Sequence, residues 1–295
     1  MNFGQVITAM VTPFDQEGNV DFQATRELIQ HLITNGSDGI VVAGTTGESP
    51  TLSIQEKVAL YEFTVEVVDG RVPVIAGTGT NSTRAAIELT ELATTAGVDG
   101  VMLATPYYNK PNQEGMYQHF KAIAACTHLP VMLYNIPGRS AVNLVPATVI
   151  RLSEIENIVS IKEASADLDA MAEIIDNTPE DFTLYSGDDS LTLPILSIGG
   201  NGVVSVSSHI IGNEMKAMIT AHESGQTKYA AKLHRELLPV FNVMFSAPNP
   251  TPVKAALEMG GIKVGSVRLP MVPLTPEESQ NVFKTIQSRI FSSAV

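Results

Sequence analysis

The feature that most constrains this chain is a regular alternation of short β-branched segments with longer amphipathic segments. Segments rich in Val and Ile are predicted to be strands, and they recur at roughly 30 residues, the length of one strand–helix unit. Such alternation predicts parallel strands joined by right-handed crossovers, and eight units favour a closed (β/α)8 TIM barrel. An open sheet stays the alternative, because periodicity alone does not show closure. The predicted strands are residues 6–9, 39–43, 74–77, 100–104, 131–135, 158–163, 183–186 and 202–206.

The segments between the strands carry helical signals. Ser53 and Glu56 have the spacing of a capping box ahead of an apolar run. The strand pattern stops after about residue 222, and residues 225–245 and 274–292 look helical. We therefore expect a catalytic barrel over residues 1–222 and a C-terminal helical extension over residues 223–295. The first helix is expected after Asp21, with Leu28, Ile29, Leu32 and Ile33 on one face and Gly36 at its end.

Composition restricts the class of protein. A single cysteine, Cys126, excludes an intramolecular disulfide and is typical of a reducing compartment. The N-terminal segment lacks the pattern of a signal peptide, and no apolar run is long enough to span a bilayer, so we expect a cytoplasmic protein without a membrane partner. A net charge of −13 disfavours nucleic-acid binding. An anionic substrate would then need specific cationic groups to capture it.

In a barrel of this kind, chemistry belongs where the strands end and the following loops begin. This rule selects a short set of segments before any family is considered. They are Thr8 and residues 44–49, 77–81, 105–109, 134–140, 162–165, 186–189 and 205–208.

Lys162 lies late in the sixth predicted strand, in the sequence IVSIKEAS. A lysine among Ile and Val is costly to bury as a cation, so one interpretation is a pair with Glu163 or another carboxylate. The other is a nucleophilic amine, because burial lowers the amine pKa from about 10.4 toward neutrality. Since neighbours in a strand point to opposite faces, the pairing with Glu163 is weakened and the nucleophile is favoured.

Tyr134 and Arg139 follow the preceding predicted strand, in the sequence LYNIPGRS. The phenol of Tyr134 could exchange protons with a substrate, or it could be a packed tyrosine with a backbone partner; the two interpretations are about even from the residues alone. Most loop arginines are solvated, but an arginine at the rim of an active site is suited to binding a carboxylate with two hydrogen bonds.

Other site classes find little support. The Gly-rich segment 44–49 could hold an anion through its backbone, but it lacks the lysine of a P-loop, and segment 77–81 lacks the third glycine of a dinucleotide fingerprint. The six histidines show no paired ligand spacing, so no metal site is predicted. Asp188 and Asp189 form a carboxylate pair that is more often structural than catalytic.

Taken together, these segments resemble the pyruvate-dependent class I aldolase superfamily that includes N-acetylneuraminate lyase. Within it, the closer resemblance is to the dihydrodipicolinate synthase family. Each motif is modest alone, but all of them in this order and spacing are highly specific, and they cover nearly the whole chain. They are TAMVTPF at 8–14, GTTGES at 44–49, AGTGTNST at 76–83, TPYYNKPNQEGMYQHF at 105–120, YNIPGRS at 134–140, IKEAS at 161–165, SGDD at 186–189, GGNGVVSV at 199–206 and NPTPVK at 249–254.

The resemblance implies a reaction and its catalytic groups. Lys162 would form an imine with pyruvate, and Tyr134 would donate and accept the protons. Thr45 and Tyr108 match relay positions, the second supplied by a neighbouring subunit. The enzyme would condense pyruvate with L-aspartate 4-semialdehyde without a metal or organic cofactor, in lysine and diaminopimelate biosynthesis.

The resemblance also implies substrate contacts and an oligomer. Thr46 and the backbone of Val204 match positions that bind pyruvate, Arg139 matches the residue that captures the carboxylate of the semialdehyde, and Gly187 would line the same pocket. Donation of Tyr108 across an interface requires at least a homodimer, and a dimer of dimers, a homotetramer, is common in the family.

Two questions stay open at this stage. A related lyase that acts on sialic or keto-deoxy sugar acids is the alternative activity, which Arg139 disfavours, and a non-catalytic binding protein is disfavoured by the intact catalytic set. Ile54, Lys57 and Ala85 stand where family members that are inhibited by lysine have residues that bind it. We therefore expect weak or absent inhibition by lysine.

Overall fold

The computed structural model describes residues 3–290 as a closed barrel of parallel strands in the order β1-β2-β3-β4-β5-β6-β7-β8. Each strand pairs with the next one along the chain, and β8 closes on β1. The predicted TIM barrel is confirmed, and the open sheet is excluded. The strands are β1 (Val6–Ala9), β2 (Gly39–Val42), β3 (Val74–Gly77), β4 (Gly100–Ala104), β5 (Val131–Asn135), β6 (Ile158–Glu163), β7 (Thr183–Ser186) and β8 (Gly202–Ser205).

Helices follow the strands and form the outer layer. The predicted capping box is present, since Ser53 Oγ accepts the N–H of Glu56 and the Glu56 carboxylate accepts the N–H of Ser53. The helices are α1 (Phe22–Thr34), α2 (Ile54–Val68), α3 (Thr83–Thr95), α4 (Gln113–Ala124), α5 (Pro137–Ser140), α6 (Pro146–Ser153), α7 (Leu168–Asn177), α8 (Thr192–Ser197), α9 (Ser208–Glu223), α10 (Thr227–Val243), α11 (Thr251–Met259) and α12 (Pro276–Ile290).

The alternation of side chains along each strand separates two apolar layers. Leu133 and Ile161 point outward into the large core between strands and helices. Met132 and Tyr134 point inward and pack with Tyr185 inside the barrel. Because alternate residues of a strand point to opposite faces, the inner or outer position of each side chain follows from the pairing register.

The predicted boundaries differ from the structure at two strand ends. The second strand ends at Val42, one residue early, because Ala43 takes a positive φ of 50° and turns the chain. The eighth strand ends at Ser205. The first helix begins after Asp21 as predicted, and its last turn leads to Gly36, whose φ of +88° suits a residue without a Cβ.

The C-terminal part of the described chain is helical, as expected, and residues 291–295 of the predicted extension lie outside the described residues. Helix α10 packs against α9 and α12, and the connection between α10 and α11 returns to the barrel. The division of the chain at residue 222 into a catalytic barrel and an extension stays a prediction. None of the helices within residues 3–290 combines the length and the apolar character needed to cross a bilayer.

Candidate active site

Tyr134 and Lys162 lie side by side where β5 and β6 end. The two residues are register partners in the parallel ladder. Nζ of Lys162 lies 4.3 Å from the centre of the Tyr134 ring. Their shared register therefore brings a phenol and an amine together at the carboxyl end of the barrel, where the sequence predicted them.

Lys162 is a buried amine without a counter-ion among the residues that the structure describes. Lys162 is 5% exposed. Within residues 3–290 no carboxylate lies within ion-pair distance of its Nζ. Burial lowers the pKa of the amine to about 8, against the opposing charge of Asp189. Glu163 points away and bonds to Asn135 and Ser165, so the predicted separation of Lys162 from Glu163 is confirmed.

Tyr134 is held as a neutral phenol. Burial raises the pKa of Tyr134 to about 12, and this effect exceeds the opposing ones of the Arg139 charge and of a polar interaction with Thr45. A phenol in this state carries a proton near neutral pH and can donate it. Thr45 and Arg139 therefore lie close enough to Tyr134 to influence its pKa.

A cavity of about 250 Å³ opens beside this group. Thr45, Tyr134 and Arg139 line it, together with the half-buried Lys57 and the ring of Tyr107. The structure therefore brings three of the predicted site residues into one cavity. The other five lie outside its lining: Thr46, Tyr108, Lys162, Gly187 and Val204.

Gly187 directly follows β7, and Val204 lies in β8. The N–H of Gly187 donates to the carbonyl of Glu163 at 2.7 Å. A Cβ at Gly187 would lie 2.7 Å from Cβ of Ala164 and 3.2 Å from Cε of Lys162, so only glycine fits against the lysine stem. Val204 is buried in the inner layer of the barrel, with Tyr134 in the same cluster.

Thr46 is buried and has a partner that sequence reasoning missed. Nδ2 of Asn249 donates to Oγ1 of Thr46 at 3.0 Å, across 203 residues of chain. Asn249 opens the NPTPVK segment, which marked the family resemblance without receiving a role. The segment after α10 therefore holds the loop after β2.

A second buried lysine lies near the same loop. Nζ of Lys254 pairs with Oε1 of Glu48 at 2.9 Å, and the side chains are 3% and 2% exposed. Lys254 also donates to the carbonyl of Ser266 at 2.7 Å, and Oε2 of Glu48 accepts the N–H of Arg268 at 2.9 Å. Burial lowers the pKa of Lys254 to about 8, and the negative charge of Glu48 opposes this by favouring the charged form of Lys254. Lys254 is thus engaged with an acid, in contrast to Lys162.

Tyr108 lies apart from the other predicted catalytic residues. It is 89% exposed, and its backbone has a φ of 73°, an uncommon conformation for a bulky residue. Its loop is held by Asn81, whose side chain and backbone bond to Tyr107 and Asn109. The described chain therefore presents this phenol outward on a defined loop and does not place it beside Tyr134.

The remaining candidates have structural contacts. Asp188 accepts hydrogen bonds from Ser190 in its own turn, and Asp189 accepts the N–H of Ser207 at 2.8 Å, which supports the structural interpretation of this pair. In the described part of the chain, no three His, Cys, Asp or Glu side chains cluster as metal ligands would. Burial lowers the pKa of Lys57, which faces the cavity.

Comparisons with known proteins identify the family of the chain. The family model described as the dihydrodipicolinate synthetase family matches residues 2–289. The 4-hydroxy-tetrahydrodipicolinate synthase of Bacillus subtilis is 64% identical over 287 residues, covering 97% of this chain and 99% of that protein. The crystal structure of a Bacillus anthracis dihydrodipicolinate synthase has a TM-score of 0.97 at 61% identity and covers 98% of this chain and 99% of that one. The Cyanidioschyzon merolae enzyme with lysine bound has a TM-score of 0.95 at 47% identity, covering 97% and 98%. This chain belongs to the dihydrodipicolinate synthetase family.

Proposed function

We propose that the chain is a 4-hydroxy-tetrahydrodipicolinate synthase, a lyase of the class I aldolase type that condenses pyruvate with L-aspartate 4-semialdehyde. Relatives more than 60% identical over nearly their whole length carry this name. The observation that carries the chemistry is Lys162, a buried amine with its pKa lowered to about 8 and with no acidic partner among the described residues. The product enters lysine and diaminopimelate biosynthesis, which fits the proposed cytoplasmic location.

The proposed reaction begins at this amine. Neutral Lys162 attacks the ketone carbon of pyruvate, and loss of water leaves an imine. The protonated imine withdraws electrons from C3, which then loses a proton and becomes nucleophilic. The resulting enamine attacks the aldehyde carbon of the second substrate, which forms the C–C bond and regenerates an imine on Lys162. The amino group of the condensed semialdehyde then attacks that imine carbon, which closes the ring and releases neutral Lys162. No organic cofactor or metal enters this sequence.

Tyr134 is proposed to move the protons. Its phenol is protonated near neutral pH and lies against Lys162, so it can protonate the departing hydroxyl and later receive a proton. Thr45 faces it from the loop after β2 and would connect it to Tyr108. Thr46 and Val204 would bind pyruvate. Because Arg139 lines the cavity and has no acid partner among residues 3–290, it is suited to the carboxylate of the semialdehyde.

A homo-oligomer is part of the proposal. Tyr108 is exposed and displayed on a loop held by Asn81, so a second subunit could receive its phenol beside Thr45. Mixing inactive Lys162→Met and Tyr108→Phe subunits tests this. If the phenol acts across the interface, statistical mixing restores about a quarter of wild-type activity, because half of the dimers then contain one intact site. No recovery after confirmed subunit exchange would place Tyr108 outside the neighbouring site.

The activity is tested by substrate choice. Purified enzyme is given pyruvate with L-aspartate 4-semialdehyde, and in parallel with the aldehydes that arise from sialic or keto-deoxy sugar acids. Turnover with the semialdehyde alone supports the proposal. A preference for the sugar aldehydes would replace it with the lyase activity. Absence of turnover with every aldehyde, in protein that is folded, would favour a binding protein.

A further inference from the structure

The residues that directly follow Tyr134 and Lys162 form a buried polar pair on the outer face of the barrel. Asn135 and Glu163 are register partners, as Tyr134 and Lys162 are. Nδ2 of Asn135 donates to Oε2 of Glu163 at 3.0 Å and to Oε1 at 3.2 Å. Alternation along the strands therefore places this Asn135–Glu163 pair one residue away from both predicted catalytic side chains, on the opposite face.

The pair also holds the loops that leave both strands. Oε1 of Glu163 accepts the N–H of Ser165 at 2.8 Å, in the loop after β6. Oδ1 of Asn135 accepts the N–H of Leu144 at 3.0 Å, and Nδ2 of Asn135 donates to Oδ1 of Asn143 at 2.7 Å. Residues 143 and 144 close the loop after β5, which carries Arg139. One cluster of side chains thus fixes two strand ends and the loop of the predicted carboxylate-binding residue.

Packing alone does not explain these residue types. The preceding outward positions of the same strands are Leu133 and Ile161, in the apolar core between strands and helices. Burial raises the pKa of Glu163, although the hydrogen bonds from Asn135 and Ser165 oppose this effect. Burying a charge is costly unless hydrogen bonds compensate, and here both carboxylate oxygens accept them. An apolar pair would fill this space without that cost, so the polar pair has another effect.

We infer that Asn135 and Glu163 are positioning residues that hold the Tyr134 phenol, the Lys162 amine and the Arg139 loop in one arrangement. The inference rests on the proposed function. Side chains on the outer face of β5 and β6 would thus set the positions of the reacting groups on the inner face. The two hydrogen bonds between the side chains resist sliding of one strand end against the other, and the bonds to residues 143 and 165 carry this order into the loops.

The donor and acceptor pattern offers a sharp test. In Glu163→Gln, the NH2 group of the new side chain must point either at the Asn135 NH2 group or at the Ser165 N–H. Both of these are donors, so one donor faces another in either orientation of the glutamine. In the double variant Asn135→Asp/Glu163→Gln, the carboxylate and the amide exchange places. The new carboxylate at position 135 accepts from the new amide at position 163 and still accepts the N–H of Leu144, while the Asn143 amide turns to donate. Every partner is satisfied again.

The experiment measures single-turnover imine formation with pyruvate by borohydride trapping, and the KM for L-aspartate 4-semialdehyde. Glu163→Gln is expected to slow imine formation between about tenfold and a hundredfold, because small displacements of reacting groups are costly, and to raise the KM for the semialdehyde. The double variant is expected to recover to within about threefold of wild type. Asp38→Asn is the control, since Asp38 accepts two backbone N–H groups and pairs with Lys216 at the opposite end of the barrel; its rate is expected to stay at the wild-type value.

Each rate is divided by the concentration of folded sites that trap pyruvate at completion, so that a smaller yield of folded protein is not mistaken for a slower reaction. If Glu163→Gln does not fold, the double variant still decides, because recovery of both folding and rate requires the exchanged pair. A single variant as fast as wild type, or a double variant as slow as the single, would overturn the inference. Failure of the wild-type protein to trap pyruvate would instead overturn the proposed function.

Discussion

The buried ion pair between Lys254 and Glu48 gives a quantitative prediction about stability. The two side chains are 3% and 2% exposed, and their charged atoms lie 2.9 Å apart. Lys254→Met removes the cation and leaves the Glu48 carboxylate buried with the N–H of Arg268 as a remaining donor. Leaving a charge buried without its partner costs about 3–5 kcal/mol, and we expect the free energy of unfolding to fall by this amount.

The double variant Lys254→Met/Glu48→Gln separates the effect of charge from that of packing. A glutamine can still accept the N–H of Arg268, but it brings no charge into the interior. We therefore expect the double variant to be more stable than Lys254→Met by at least about 1 kcal/mol, although it carries one more substitution. The control is Lys232→Met, because Lys232 pairs with Glu236 at 3.7 Å on the surface. Such a pair contributes up to about 1 kcal/mol.

The assay is urea unfolding followed by circular dichroism, at one protein concentration because subunit association also contributes to stability. A loss for Lys254→Met no larger than that of the surface control would show that the buried pair contributes no more than a surface pair. A double variant no more stable than Lys254→Met would contradict the prediction as well, since removing the stranded Glu48 charge would then bring no gain in stability. Refolded Lys254→Met is still expected to trap pyruvate, because Lys254 is not the proposed nucleophile.

Three further predictions concern the site. Imine formation requires neutral Lys162, whose pKa is lowered to about 8. The rate of imine formation should therefore rise about tenfold per pH unit below pH 8 and level off above it. A rise that continues to about pH 10 in stopped-flow trapping would contradict this. Arg139→Ala should raise the KM for the semialdehyde about tenfold or more and leave that for pyruvate nearly unchanged, while equal changes in both would argue against a carboxylate contact. Submillimolar lysine should inhibit weakly or not at all, since Lys57 opposes a bound ammonium; strong inhibition in a turnover assay would overturn this.

The fold and the central pair could be predicted because both follow from local patterns. Alternation along β5 and β6 sets Tyr134 and Lys162 inward, and two strands adjacent in sequence are neighbours in the barrel. The same alternation separated Lys162 from Glu163 without knowledge of any contact. The predicted end of β2 was one residue too late, because nothing in the sequence around Ala43 indicates its positive φ.

The supports of the site could not be predicted in the same way. Asn249 and Lys254 reach Thr46 and Glu48 from about 200 residues away, and no periodicity links the two segments. The only signal was a polar NPTPVK segment in a region without strands. Strand register and alternation place Asn135 beside Glu163. The sequence alone did not predict this contact, because the register is a property of the folded sheet.

Lys162 and Lys254 are both buried and have similarly lowered pKa values, and Lys162 is the proposed nucleophile. The most direct measurement is peptide mapping by mass spectrometry after borohydride reduction in the presence of pyruvate. The expected result is one reduced pyruvate unit per chain, located on Lys162, and none on Lys254, whose ammonium is held by Glu48. An adduct on Lys254, or a chain that gains no pyruvate while folded, would contradict it.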